Sequence, residues 1–195
     1  MARKIYHTEG LILTSRPWGE ANRLLLIFTE DFGVISVLAQ GVRESRSKMR
    51  HHLYGWTPLK LSLVRGRETW RLTGVEVAGL KPVSSARGIL LRLGRLLRRL
   101  LPETAPSREA YTLVKNGAQF LNHITTQVDA KNKLEAAELL FVLRLLSQLG
   151  YLPRLALLPE AVWSSSWAEE GLDELLVKRR EAVDLINQAL AMSQL

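Results

Sequence analysis

Residues 57–79 read TPLKLSLVRGRETWRLTGVEVAG. Leu59, Leu61 and Leu63 alternate with Lys60 and Ser62, and Trp70-Arg71-Leu72-Thr73 and Val75-Glu76-Val77 alternate in the same way. A period of two marks a strand with one wet face, and the polar run RGRE between the two halves marks a turn. The same texture extends back toward the amino terminus. GLILTS (10–15), RLLLIFT (23–29) and GVISVLAQ (33–40) are leucine-rich or β-branched, separated by RPWGE and EDFG. Five short strands with antiparallel-style links in one small region predict a small barrel or sandwich, and the five-stranded OB-fold barrel is the natural candidate.

From Ser84 onward the period becomes helical. SSARGILLRLGRLLRRLLPE opens on a Ser cap and stops at Pro102, with Ile89, Leu93, Leu96, Leu97 and Leu100 on one side and Arg92, Arg95, Arg98 and Arg99 on the other. Residues 107–128 form a second helix capped by Ser107, with Ala110, Val114, Leu121, Ile124 and Val128 as its stripe. Residues 133–153 are apolar nearly all round, which predicts a central helix ending at Gly150 and Pro153. Residues 169–192 predict one last amphipathic helix, and 154–167 have no clear period. The fold class is therefore α+β: an OB-fold barrel over residues 1–80, then an all-helical domain over 81–195, with the boundary near GLKPVSS.

Charge narrows the function. The 195 residues carry 27 Lys and Arg against 19 Asp and Glu, a net +8. Residues 1–80 hold twelve cations and seven anions, residues 81–101 six cations and no anion, and residues 102–195 nine cations and twelve anions. A basic first half favours polyanions, nucleic acid first and an anionic membrane second. The densest run lies in LAQGVRESRSKMRHHL (38–53), where Arg43, Arg46, Lys48 and Arg50 are opposed only by Glu44, and His51 and His52 extend the run. Arg16, Arg23, Arg65, Arg67 and Arg71 add cations to the same domain, with Trp18 and Trp70 as aromatic platforms among residues otherwise expected in the core. Cations track phosphates and aromatic faces accept unstacked bases. Glu44 and the serines are expected to keep the loop hydrated and mobile. The arginine helix has three readings: a wet face, a phosphate-binding face, or a face lying on a membrane.

Catalytic signals are poor. There is no GxxxxGK[ST], HExxH or GxSxG pattern, and His7, His51, His52 and His123 lack metal-ligand spacing. The absence of cysteine removes disulfides, thiolate metal sites and cysteine nucleophiles. The expectation is a non-enzymatic protein without cofactor or metal. No apolar run resembles a signal peptide or a membrane span, so a cytoplasmic location is expected.

The motif string of the first half resembles one family. Thr8-Glu9-Gly10, Gly19-Glu20 with Arg23-Leu24, Thr29-Glu30 with Gly33, and Gly41-Val42-Arg43 before a basic, serine-rich loop are similar in order to the amino-terminal barrel of the bacterial recombination mediator family RecO. YGWTPLKLSLVRGRETWRLTGVE fits its next two strands and LLSQLGYLPRL its central helix end, so the likeness covers residues 8–79 closely and continues to about 155. The resemblance implies binding of single- and double-stranded DNA, strand annealing, and work with RecR in loading RecA. The setting would be DNA coated by single-stranded-DNA-binding protein, whose acidic tail docks on the helical domain, and a nucleoid-associated place in the cytoplasm. Many members carry paired zinc-binding cysteines after the LGYLP element. Here the positions read RLALLPEAVWSSSW, so packing by Leu155, Leu157, Leu158 and Trp163 is expected to replace a lost or reduced module. The alternative is a protein-interaction adaptor, with Arg144 or Arg154 on the basic rim of an apolar pocket that takes an acidic tail.

Overall fold

A computed structural model of the chain describes residues 4–82, 86–101, 106–125 and 130–192. Five strands, β1 (Ile5–Trp18), β2 (Asn22–Thr29), β3 (Gly33–Ala39), β4 (Pro58–Arg65) and β5 (Trp70–Val77), are followed by five helices. These are α1 (Arg87–Leu100), α2 (Arg108–Ile124), α3 (Ala130–Gln148), α4 (Leu172–Val177) and α5 (Arg179–Met192). The strands close a barrel in the order β1-β2-β3-β5-β4. This is an OB-fold followed by helices, as the period-two and period-3.6 stretches predict.

The alternation in residues 57–79 does what it promises. Leu59, Leu61, Leu63 and Leu72 are buried with Ile12, Leu25, Ile27, Ile35 and Val37 in the barrel core, while Lys60 and Arg71 face outward. Each such leucine withdrawn from water contributes roughly 1.5–3 kcal/mol. Gly10, the last residue of the TEG motif, sits where a Cβ would lie 2.8 Å from both Ile27 Cγ2 and Leu61 Cδ1, so any larger residue would have to displace those two side chains. Strand β3 contacts β5 in parallel, Val37 opposite Trp70 and Leu38 opposite Arg71; the other pairings among the five strands are antiparallel.

Strand β1 differs from expectation. It runs well beyond 10–15 at both ends, and Arg16-Pro17-Trp18 continue the strand rather than forming a turn. Residues 5–11 pair with β4 and residues 10–18 with β2, with a register shift between Ile12 and Thr14 where the strand changes partner. Pro17 is tolerated because this half of β1 pairs on one side only.

Two compact units divide the chain, one of Met1–Pro82 with Gly94–Tyr111, the other of Val83–Leu93 with Thr112–Leu195. In the first unit Tyr111 packs edge-on against Phe28 at 5.6 Å. Its hydroxyl is pushed upward in pKa by burial, then by the nearby Glu9 and Glu30 carboxylates. In the second unit α3 is central: Ala136, Ala137, Leu140, Phe141, Leu143, Leu145 and Leu146 are buried, and α4 and α5 pack on it. Ser107 caps α2, its Oγ accepting the Ala110 N–H at 3.2 Å. Gly150, at φ 80°, ends α3 with Tyr151 N donating to Leu146 O. The last helix is not continuous. Lys178 leaves helical geometry at ψ 20° and separates α4 from α5, so that Leu172 and Leu175 of one and Ala182 and Ala189 of the other are buried. The Ser84 cap, the Pro102 stop and Val128 lie outside the described residues.

Candidate nucleic-acid interface

The register of β2 against β3 builds the site. Arg23 lies opposite Ala39, so the start of β2 and the exit of β3 meet at one end of the barrel. Three hydrogen bonds then tie the β1–β2 turn to the segment leaving β3. Asn22 Oδ1 accepts the Gly41 N–H at 2.9 Å, Arg43 N donates to Ala21 O at 2.9 Å, and Arg43 Nη1 donates to Gly19 O at 2.9 Å. Val42 is buried in the barrel core, and Met49 and Leu53 pack against that core. The cationic loop is therefore tied to the barrel at both ends, by Gly41 and Arg43 and by Met49 and Leu53, with a short 3-10 turn at Met49–His51.

A cleft of about 370 Å³ opens between these elements, lined by Arg23, Arg43 and Arg50 over an apolar floor of Val42 and Leu53. Arg43 and Arg50 are exposed, and Arg23 is half-buried with its Nη1 donating to Ser15 Oγ at 3.0 Å. None of the three has a carboxylate partner among the described residues. Arg46 and Lys48 project outside the cleft; Arg46 is held by Glu44 Oε2 at 2.8 Å. Trp18, 49% exposed, stands at the end of β1 with the Arg16 guanidinium 5.4 Å from its ring centre. Opposed positions of a sheet share a face. Arg16, Leu24, Leu38 and Arg71 are such a row, running from β1 to β5 across the outside of the barrel and ending in a cation at each side.

Other residues singled out in the sequence lie elsewhere. Arg65 and Arg67 belong to the β4–β5 hairpin, and Trp70 is half-buried there against Phe32 (4.8 Å) and Tyr6 (5.3 Å), with Arg65 over its ring. Phe32 sits in the β2–β3 turn, Trp70 pairs with Val37 of β3, and none of these residues lines the cleft. Trp56 is core, buried at φ 60° with its amide donating to Ile12 O.

Arg144 corrects an expectation. It is only 5% exposed and not a rim cation; it stacks on Trp167 at 4.5 Å and donates to Ser166 O at 2.8 Å and to Ala161 O. Burial brings its pKa down to about 10. The segment 154–167 is thus organised around a buried guanidinium as well as by apolar packing. Leu158 and Val162 are buried, Leu155 and Trp163 half-buried, and Leu157, expected to pack, is exposed. Arg154 is exposed and paired with Glu160; with Lys178 it borders a second cleft, about 650 Å³, floored by Leu155, Leu158 and Trp163. Asn22, Val42 and Leu53 also belong to the site, and sequence pattern alone does not mark them. The one signal is an asparagine placed directly before a strand, where its side chain can bond a neighbouring backbone.

Among the described residues no cluster of three or more His, Asp or Glu side chains is arranged to hold a metal, and no helix is long and apolar enough to cross a membrane. The chain is similar to known proteins across most of its length. Residues 1–80 match the family model "Recombination protein O N terminal" and residues 86–156 match "Recombination protein O C terminal". A protein of Heliobacterium modesticaldum named DNA repair protein RecO is 30% identical over 160 residues, 79% of this chain and 55% of the relative. Proteins of the same name from Nitrosococcus oceani (32%, covering 72% of this chain and 55% of the relative) and Syntrophobacter fumaroxidans (31%, 78% and 60%) are similar in the same way. The chain spans 55–60% of the length of these relatives.

Proposed function

The chain belongs to the recombination protein O family, and on that premise we propose that its barrel binds DNA through the sugar-phosphate backbone in the service of repair and recombination. The observation that carries this reading is the convergence of Arg23, Arg43 and Arg50 on one cleft with exposed Trp18 and Arg16 on the adjoining hairpin. Guanidiniums replace the counterions condensed on a phosphate chain, and the released ions gain entropy. An indole face accepts a base of any identity. A site built this way grips single or double strands without reading sequence. It also lowers the repulsion between two complementary strands, so annealing follows from the same chemistry. No covalent step is required. RecR, RecA loading and the acidic tail of single-stranded-DNA-binding protein enter as expected partners of a family member, in the nucleoid.

The experiment is binding of fluorescent oligonucleotides with R43A/R50A beside the unaltered chain. Loss of two phosphate contacts should make the slope of log K against log salt about 1.4 units shallower on single strands. An unchanged slope removes this cleft from the site.

A second reading has its own observation. The cleft bordered by Arg154 and Lys178 has an apolar floor, and its two cations are paired with Glu160 and Glu174 of the same rim, so an acidic peptide ending in hydrophobic residues would have to exchange with those carboxylates. An adaptor of this kind would bind such a peptide while ignoring oligonucleotides.

A further inference from the structure

The wet face of α1 is charged beyond what the helix itself requires. Five of its fourteen residues are arginine and none is acidic. Arg98 and Arg99 in the last turn are favoured by the helix dipole, but Arg87 in the first turn opposes it. Arg92 is accounted for by Glu138, whose two oxygens accept from its Nε and Nη2 at 2.8 and 2.6 Å and hold its pKa up. Arg87, Arg95 and Arg98 are exposed and have no carboxylate partner among the described residues. Arg95 has Arg92, Arg98 and Arg99 as neighbours three and four residues away, like-charge spacings that weaken an isolated helix. At 3.6 residues per turn, Arg87, Arg95 and Arg98 fall within an arc of about 80° and span about 16 Å along the axis.

An exposed row of cations maintained against helix chemistry is explained by a polyanion outside the chain. A bilayer does not fit. Ile89, Leu90, Leu93, Leu97 and Leu100, the apolar side an interfacial helix would immerse, are buried within the protein, and only Leu91 (48% exposed) is left on the wet side. A nucleic-acid backbone does fit, because it needs charge and no apolar face, and about 16 Å matches about five nucleotide steps.

We infer that the arginine face of α1 is a second phosphate-binding surface, which takes a second nucleic-acid strand while the barrel cleft holds the first. This rests on the reading of the barrel as a DNA-binding site. A protein with two such surfaces raises the local concentration of one strand about the other, and annealing then depends on both while capture of one strand depends on the cleft.

The test compares the unaltered chain, R95A/R98A, R95K/R98K and R43A/R50A in two assays: affinity for one 30-nucleotide strand, and the rate of annealing of two complementary strands. Removing two exposed arginines should slow annealing about tenfold and change single-strand affinity less than about twofold, and the lysine variant should restore annealing because only charge is needed. R43A/R50A should lose both. Annealing by R95A/R98A at the unaltered rate overturns the second surface alone. So does a fall in single-strand affinity as large as the fall in annealing, which would merge the two surfaces. Failure of the unaltered chain to bind the single strand overturns the barrel reading and this inference with it.

Discussion

Trp18 and Arg144 show how far a single side chain can be read in advance. The sequence marks Trp18 as an aromatic platform, and it stands exposed at a hairpin end. Trp18→Ala should weaken single-strand binding by about 1–3 kcal/mol with little preference among bases, measured by anisotropy on homopolymers. A loss confined to one base would point to direct base readout instead. The charge of Arg144 predicts a surface position, yet its fork bonds the carbonyls of Ala161 and Ser166. Nothing local distinguishes such an arginine, because the carbonyls that draw it inward lie some twenty residues further along the chain. Arg144→Met should cost about 2–4 kcal/mol, seen as a lower urea midpoint of the helical signal, because it strands those carbonyls. Arg144→Lys should recover only part of that loss, since a lysine lacks the planar fork. Oligonucleotide affinity should not change in either variant.

At the scale of elements, what was legible had a period and what was not had a partner. The alternation of residues 57–79 and the stripes of α1 and α2 fix type and approximate bounds, because a strand or helix must turn its apolar residues to one side. The reach of β1 to Trp18 was hidden, because its polar outer half is held by pairing with β2 and not by burial. The break at Lys178 was hidden too, since both halves keep helical periodicity and only their buried faces differ. The barrel's closure is testable at one glycine. Gly10→Ala places a methyl against Ile27 and Leu61 and should lower stability by about 1–3 kcal/mol, measured as a shift in the barrel's thermal midpoint. A neutral result would mean that the strands part to admit a side chain.

For the molecule as a whole, the charge balance of the sequence already separated a basic first half from an acidic second half. What it did not give was the gathering of Arg23, Arg43 and Arg50, which depends on strand register and on Asn22 bonding the Gly41 amide. The central claim is that this gathering exchanges ions with phosphates and ignores bases. The most direct measurement is the affinity of the unaltered chain for several unrelated oligonucleotides across a salt series. For three to five phosphates neutralised, all sequences should fall on one line of log K against log salt with a slope of about −2 to −3.5 for single strands. Binding that is indifferent to salt, or that differs tenfold or more between unrelated sequences, would contradict it.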